Sequence, residues 1–532
     1  MRDALRKTRA WRRLQAQGRD VEHYRLFQDI PKSSDIGFPD HAFLGLVPPE
    51  FRAEAKICLR QSMYDPARDS GLWAELICHL AGDSRPITLS APPAWRDALE
   101  ARGVPTSSLR SAFGFLRLQI KAMKASLGTL RRLLKRPCAG QDRGAPMPHV
   151  VFSGVRDHYL PLIGNRTDTR WDLISWYRRS NLWDPRTKEI RVTSFDDLSV
   201  ADMTGIRQVS HTLPDLSDSA RRGFIFQALL MTAWAGLRWL TGAWWMPFLL
   251  GQSLQLAYAR RVPSDQLPMQ ACFNSTQKTV RPLWSYDAER RGTRVMIILY
   301  SKNVSVFIPG NPGVPETAPD FAQVSWPEFV IWDECHKKEL IMTGVDPTAR
   351  FTMMGPIGFA DSAEDFSPPP QPSVAVFDVD AVPTTYGALR GFARPYWTHD
   401  NALAFVEASF RAIRAVGAVP VYKPKGYLGG KLLRPRASVF LDLVKDYDAI
   451  LLDGMINANR VITATDASIS MPFTSTAASG AYLDRPAVYY DPTAGLHAHL
   501  SLAGDVPVLF NQAELEDWLR TSLSTMPTKR GQ

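Results

Sequence analysis

The last third of the chain alternates short apolar runs with stretches of helical periodicity, and this alternation limits the folds open to it. The predicted elements after residue 373 are strand 374–379, helix 400–416, strand 418–422, helix 437–446, strand 449–452, strand 467–470, helix 475–483, strand 487–490, strand 506–510 and helix 512–523. Strands joined through helices pair in parallel, because each crossover helix returns the chain to the same edge of the sheet. We therefore predict an α/β fold with a doubly wound parallel sheet.

A similar alternation precedes this region, and a linker separates the two. The predicted strands there are 269–274, 294–300 and 328–332, with a further strand and a Gly-Pro turn over 350–357 and a short helix at 284–291. The stretch DSAEDFSPPPQPS at 361–373 is rich in Pro and Ser and has no periodicity, which is typical of a linker. We therefore predict two domains, over 1–365 and 366–532, with helical and basic amphipathic elements in the N-terminal part.

Composition and motif content exclude several classes of function. The five cysteines form no CxxC pair and the ten histidines are dispersed, so neither a disulfide framework nor a metal site is expected. The sequence contains no GxGxxG, no phosphate-loop GKS or GKT and no HExxH. The basic N-terminus lacks the apolar core of an export signal, so we expect a cytoplasmic protein.

The net charge of +10 is concentrated in two segments. Residues 1–20 carry seven Lys and Arg against two Asp, and residues 109–136 carry eight against no acid. Local basic patches favour one anionic surface as partner over a general nucleic-acid interface. We expect no nucleic-acid partner.

Residues 109–136 also predict an amphipathic helix, which suits an anionic membrane surface. Its apolar residues recur at steps of four and three: Leu109, Phe113, Leu116, Ile120, Met123, Leu127, Leu130 and Leu134. The alternatives are a coiled-coil seam or a core-packed helix with a solvated basic face. Residues 224–250 are apolar, but Arg238, Pro247 and several tryptophans favour a buried or membrane-dipping helix pair over a span. We expect peripheral attachment to the inner face of the inner membrane.

Polar side chains follow the predicted strands of the last domain. Thr474, Ser475 and Thr476 lie after strand 467–470 at the start of a helix, where backbone N–H groups and the helix dipole favour a phosphate. The alternative is an ordinary helix cap. Lys423 and Lys425 follow strand 418–422 and could pair with a diphosphate, or could lie in a solvated loop.

The first domain has its own polar residues at strand ends. Ser275 follows strand 269–274, and Ser301 and Asn303 follow strand 294–300. Asp333 and Glu334 follow strand 328–332, and Asp157 and His158 follow a short predicted strand at 149–153. Because sites in parallel α/β sheets form outside the carboxyl ends of strands, these residues are candidates for a site, and Asp157 and His158 could supply a base. A surface turn is the alternative for Asp157 and His158.

The ordered set of these motifs resembles the polysaccharide biosynthesis proteins named for a PFTS motif, found in bacterial surface-polysaccharide and O-antigen gene clusters. The matching segments are Pro472-Phe473-Thr474-Ser475, Tyr489-Tyr490-Asp491-Pro492, Lys423-Pro424-Lys425, Val376-Phe377-Asp378-Val379, Arg281-Pro282-Leu283-Trp284, Gly292, Tyr300-Ser301-Lys302-Asn303, Trp332-Asp333-Glu334 and Gly355-Pro356-Ile357. The match covers about residues 265–525, and Gly426 departs from the basic residue typical of its position.

This resemblance implies a glycosyltransferase of the two-Rossmann-domain GT-B type, with two α/β domains facing a cleft. The C-terminal domain would hold a nucleotide-sugar, which is a substrate and not a cofactor, and the N-terminal domain a glycan or lipid-linked acceptor. The implied donor and phosphate contacts are Lys423, Lys425, Phe473, Thr474, Ser475, Thr476, Asp378 and Asp491. The implied N-domain side of the cleft comprises Ser275, Arg281, Ser301 and Asn303. Asp333 or Glu334 would be the base, with Asp157 and His158 as further candidates, and no divalent metal would be required.

Two other functions fit the same features. A glycerol- or ribitol-phosphate polymer transferase also needs a two-domain cleft and cations that bind phosphate. A scaffold of polysaccharide assembly would keep the fold without turnover.

Overall fold

The computed structural model describes residues 2–19, 22, 45–69, 72–135, 148–155, 173–194, 206–209, 211–274, 280–302, 324–357, 366–379, 381, 396–425, 437–454, 456–495 and 501–525. The strands are β1 His149–Val155, β2 Glu189–Ser194, β3 Ile206–Gln208, β4 Gln270–Asn274, β5 Arg294–Ile298, β6 Glu328–Ile331, β7 Arg350–Met353, β8 Ser373–Phe377, β9 Val419–Lys423, β10 Ile450–Leu451, β11 Ala467–Ser470, β12 Ala487–Tyr490 and β13 Val508–Leu509.

The helices lie before, between and after these strands. They are α1 Arg2–Ala16, α2 Arg52–Asp69, α3 Leu72–Leu80, α4 Pro93–Glu100, α5 Ser108–Leu134, α6 Leu173–Arg179, α7 Asp218–Leu240, α8 Met246–Ala259, α9 Leu283–Arg290, α10 Glu334–Met342, α11 His399–Ala415, α12 Ala437–Asp446, α13 Ala458–Ala464, α14 Ser475–Tyr482 and α15 Gln512–Ser524.

The strands form two separate parallel sheets with the same winding. The first sheet has the order β3-β2-β1-β4-β5-β6-β7, and the second has the order β10-β9-β8-β11-β12-β13. Each sheet grows outward in both directions from its first strand, which is the arrangement of a Rossmann fold. The central strands are buried along their whole length, as parallel strands covered by helices on both faces must be. The predicted fold class, two Rossmann-like domains, is confirmed.

A layer of helices covers one face of the first sheet and shares a hydrophobic core with it. Helix α8 packs against α5, α7 and α9, and α1 packs against α3. Residues 224–250 therefore form parts of a helix pair, as expected, and among the described residues no helix is long and apolar enough to cross a membrane. The sequence did not predict β2, β3, α6 or α13.

Candidate functional site

The second sheet has one position where its strand order reverses. From β8 the chain proceeds to β9 on one side, whereas β11 lies on the other side and leads to β12. The two neighbouring strand ends therefore leave a crevice, and ligands of doubly wound sheets bind in such a crevice. Asp378 follows β8 and the segment Pro472–Ser475 follows β11. The PFTS motif thus lies at the switch point of a Rossmann-like sheet.

The PFTS turn is tightly constrained. Phe473 has φ 59°, an uncommon conformation for a residue with a side chain, and its buried ring packs edge-on against Tyr489. The Thr474 hydroxyl donates to the carbonyl of Met471 at 2.8 Å, and the Tyr489 hydroxyl donates to the carbonyl of Thr474 at 2.8 Å. Thr474 occupies the N-cap position of α14, but its side chain makes no capping hydrogen bond. The turn is held by its neighbours, and Thr474 caps α14 by its position but not through its side chain.

Asp378 organises the strand end beside this turn. Its buried carboxylate accepts a hydrogen bond from the Tyr422 hydroxyl and, at 2.9 Å, another from the Lys425 N–H. The Lys425 side chain is exposed, whereas the half-buried Lys423 ammonium donates to the carbonyl of Gly454 at 2.9 Å. The structure therefore places both lysines at the predicted edge, with Lys425 the more accessible.

Asp491 organises the loop after β12, as Asp378 organises the end of β8. Its fully buried carboxylate accepts from the Tyr396 hydroxyl at 2.6 Å, from the Thr493 hydroxyl at 2.6 Å and from the Thr493 N–H at 3.0 Å. These contacts fix the loop that follows β12. A contact with a donor phosphate remains a prediction for Asp491.

The first domain brings a lysine and an aspartate together at its own strand ends. Lys302 follows β5 and Asp333 follows β6, and the Lys302 ammonium lies 2.8 Å from the Asp333 carboxylate. The other oxygen of Asp333 accepts from the His336 N–H at 2.8 Å and so caps α10. Glu334, the next residue, is exposed. Lys302 was not among the predicted site residues, although its place between Ser301 and Asn303 was a signal that could have found it.

The two domains meet at these strand ends. The Ser475 hydroxyl accepts from the Lys302 N–H at 3.0 Å and lies 3.1 Å from the Ser301 hydroxyl. A Cβ at Gly355 would overlap the ring of Tyr482, so α14 lies against the first domain at its other end as well. The predicted residues Ser301, Asp333 and Ser475 are thus brought into one region, where the carboxyl ends of the two sheets face each other.

A buried acid and a buried imidazole lie beneath this junction on α10. Among the described residues, no hydrogen-bond partner is present for either Glu339 carboxyl oxygen or for His336 Nε2. Burial raises the pKa of Glu339 well above its ordinary value, although Lys302 opposes the shift, and burial lowers the pKa of His336 to about 3. Burial therefore favours the neutral form of each group. The only sequence signal that these two side chains lie close together was their i, i+3 spacing, which places them on one face of the helix.

We expect Glu339→Gln to remove the contribution of Glu339 to the pH dependence of the free energy of unfolding. The folded protein keeps a proton on Glu339 that the unfolded chain releases above about pH 4.5, so the free energy of unfolding falls as pH rises towards the folded-state pKa, by up to about 1.4 kcal/mol per pH unit. His336 acts in the opposite direction, since its stability contribution is lost as pH falls from about 6.5 towards 3. The difference in urea unfolding between wild type and Glu339→Gln across a pH series isolates the Glu339 effect, because His336 is present in both proteins.

The control for this variant is Glu334→Gln, which changes an exposed acid on the same helix. It should keep the pH dependence of the unaltered protein. A wild-type slope that persists in Glu339→Gln would contradict the assignment.

The remaining predicted residues have other positions. The buried Arg281 guanidinium stacks on the ring of Tyr286 at 3.6 Å and bonds to Ser285, Glu289 and the Ser325 carbonyl, so its described contacts are structural ones within the first domain. The Thr476 hydroxyl lies 2.7 Å from that of Ser470. The predicted residues outside the described part of the chain are Asp157, His158, Ser275 and Asn303. Among the described residues no cluster of three or more His, Cys, Asp and Glu side chains could hold a metal ion, and the expectation that no metal is required stays a prediction.

Two parallel sheets of Rossmann order, with their strand ends facing each other, define a two-domain α/β protein of GT-B type. Comparison with protein families gives a match to the polysaccharide biosynthesis PFTS motif proteins over residues 227–519. The chain belongs to this family, which confirms the resemblance predicted from its motifs. No curated protein matches the chain significantly.

The chain is also similar to several solved structures. One is the glycotransferase of kitacinnamycin, at 14% identity over 71% of this chain and 91% of that chain, with a TM-score of 0.35. A ugt transferase from Siraitia grosvenorii in complex with UDP matches at 13% identity over 71% and 91%, with a TM-score of 0.35. The glycosyltransferase SnogD from Streptomyces nogalater matches at 13% identity over 71% and 96%, with a TM-score of 0.31. Because these scores are low, the fold assignment rests on the two sheets themselves.

Proposed function

We propose that the protein is a glycosyltransferase that moves a sugar from a nucleotide-sugar to a glycan acceptor in bacterial surface-polysaccharide, O-antigen or capsule biosynthesis. One observation carries this proposal: the PFTS turn occupies the switch point of the second sheet and faces the strand ends of the first. A donor bound in that crevice would have its phosphates at the second domain and its sugar towards the first. The family membership supports a role in polysaccharide synthesis.

The proposed chemistry divides between the two domains. Lys425, Lys423 and the first turn of α14 would stabilise the negative charge of the leaving nucleotide, so that no divalent metal is needed. Asp333 or Glu334 would deprotonate the acceptor hydroxyl. The ion pair with Lys302 would orient Asp333, whereas the exposed Glu334 would be more mobile.

We place the enzyme at the cytoplasmic face of the inner membrane and propose a lipid-linked acceptor. The support is the exposed basic face of α5, because an acceptor anchored in lipid would be presented at an anionic surface.

A nucleotide screen tests the proposal on the full-length protein. We expect one nucleoside diphosphate, or the matching monophosphate if the donor is a CMP-sugar, to raise the thermal midpoint by several degrees at about 100 times its Kd, which corresponds to about 2.7 kcal/mol. The parent nucleoside should shift the midpoint less, because the phosphate contacts carry the binding. No shift with any nucleotide or nucleotide-sugar would contradict the proposal. Analysis of the product separates the two enzyme classes, because a phosphodiester linkage would indicate a polyol-phosphate transferase and a glycosidic linkage a sugar transferase.

A further inference from the structure

Helix α5 faces the protein with several polar residues beside its buried apolar ones. The Ser111 hydroxyl accepts from the Leu89 N–H at 3.0 Å, and the Gln119 side-chain oxygen accepts from the Trp239 indole at 2.7 Å. The Ser126 hydroxyl donates to the carbonyl of Pro247 at 2.9 Å. All three polar residues are buried. Phe115, Leu130 and Leu133 are buried as well, and the Phe115 ring packs edge-on against Trp244, so α5 docks through a face that is partly polar and partly apolar.

The apolar stripe of α5 lies largely in solvent. Leu109 and Phe113 are 68% and 64% exposed, and Leu116, Ile120 and Leu127 are exposed as well. A core-packed stripe, one of the sequence-based alternatives, is therefore wrong for this part of the helix. Met123 and Leu134 are only half-buried, and Leu130 is buried. Most of the stripe has no cover from the described residues and is available to a partner.

Helix α7 adds a second exposed apolar face. The members of this face recur at helical spacing and range from 39% to 83% exposed: Phe226, Leu229, Leu230, Trp234, Leu237 and Leu240. The opposite side of α7, with Phe224, Ala228, Met231 and Ala235, is buried in the core. Helix α7 is therefore anchored by one apolar face and presents another to the outside.

The two exposed faces belong to neighbouring helices. Both α5 and α7 pack against α8. The Arg221 guanidinium near the start of α7 donates to the carbonyl of Leu134 at the end of α5, while Trp239 near the end of α7 reaches Gln119 further back on α5. The helices thus run antiparallel and are bridged by these two hydrogen bonds. The uncovered apolar residues of both helices are together termed the α5–α7 surface.

The positive charge beside this surface favours an anionic partner. Helix α5 and the residue after it contain no acid, and their exposed cations are Arg110, Arg117, Lys121, Lys124, Arg131, Arg132 and Lys135. Two copies of this surface would bring these like charges together, which disfavours a homodimer. Anionic lipid headgroups complement them, with each cation near the surface improving binding by about fivefold. The exposed Trp234 on α7 fits the same partner, because tryptophan prefers the boundary between headgroups and acyl chains.

We propose that the α5–α7 surface is a membrane-docking site. Helices α5 and α7 lie flat on an anionic leaflet, with their exposed apolar side chains in the boundary between headgroups and acyl chains and the α5 cations among the headgroups. This adds α7 and a defined orientation to the peripheral location proposed above. The inference rests on the packing of α5 and α7 and not on the sugar chemistry.

Vesicle co-sedimentation of the full-length protein tests this inference. We expect binding to vesicles of phosphatidylethanolamine and phosphatidylglycerol and weaker binding to vesicles of phosphatidylcholine. The triple variant Leu229→Ser, Leu230→Ser, Leu237→Ser should lower partitioning about a hundredfold or more, since full burial of one leucine side chain is worth about tenfold to a hundredfold. Charge reversal at Arg117, Lys121 and Lys124 should abolish the preference for anionic vesicles.

Matched controls lie on helix α12 of the second domain. Val439→Ser and Lys445→Glu change exposed residues of the same kinds and should leave vesicle binding unchanged. Equal partitioning of the wild type and the triple variant would overturn the inference. So would sedimentation equilibrium showing a wild-type dimer that the triple variant abolishes, because the surface would then be a protein interface. All variants should keep the nucleotide-dependent thermal shift, so the outcome is separate from that of the transferase proposal.

Discussion

Lys425→Ala is expected to lower kcat/KM for sugar transfer by about a hundredfold to a thousandfold without changing thermal stability. Loss of one group that stabilises charge in the transition state costs about 2.7–4 kcal/mol in comparable sites. The fold should tolerate the change, because the Lys425 side chain is exposed and the Asp378 carboxylate is held through the Lys425 N–H, which alanine retains. Steady-state kinetics and a thermal scan of the same samples measure both effects.

The control for this variant is Lys445→Ala, an exposed lysine near the end of helix α12. Lys423→Ala is a poorer probe, since its ammonium also holds the Gly454 carbonyl and its loss would disturb the loop. If Lys425→Ala and Lys423→Ala both leave polymer production intact in cells, turnover at this site is excluded. The protein would then be interpreted as a scaffold of polysaccharide assembly that keeps the fold without turnover.

The second sheet was largely predictable because its strands are short, apolar and punctuated by turn residues. A strand buried on both faces needs a continuous apolar run, and Val374–Phe377 and Ala487–Tyr490 meet this need. Strand β2 was not predicted, although Glu189, Arg191 and Thr193 alternate with apolar residues as in a half-buried strand. The run is short, its charges pair with each other, with the Arg191 guanidinium 2.7 Å from Glu189, and its neighbours β1 and β3 stabilise it.

The junction between the domains was only partly predictable. Strand ends of parallel sheets point to the same edge, so Ser301, Asp333 and Ser475 could be identified as site candidates. Their meeting across two domains depends on how the domains dock, for which the sequence carries no local signal. Glu339 shows the same limit, since an acid six residues after a helix cap normally lies in water and only tertiary packing buries it.

Helix α5 shows what the periodicity of apolar residues predicts and what it leaves open. The spacing of its apolar residues predicts a stripe, and the structure contains this helix over Ser108–Leu134. Periodicity does not say which partner covers the stripe. Here the Ser126 hydroxyl and the Gln119 amide find specific partners in the protein, so the docked face is partly polar and much of the apolar stripe is exposed.

Gly480→Ala is expected to destabilise the second domain by about 1–3 kcal/mol, the range for overpacking a filled core. A Cβ at Gly480 would lie 2.5 Å from the Cβ of Ala487 on β12 and 3.2 Å from the Ser468 hydroxyl on β11. Neither strand can move easily, because both are buried and paired on each side. The gain in helix propensity, about 1 kcal/mol, offsets only part of this cost. Urea unfolding measures the net change.

Gly128→Ala is the matched control, because Gly128 also lies within a helix but no atom would meet its Cβ within 4 Å. It should stabilise the protein by about 0.5–1 kcal/mol. Stabilisation by both variants would contradict the tight packing of α14. Since α14 brings Ser475 to the Lys302 N–H, the displaced helix of Gly480→Ala should also weaken the nucleotide-dependent thermal shift, whereas Gly128→Ala should retain it. The expected loss of both stability and ligand response therefore links the packing of α14 on its sheet to the site at its N-terminus.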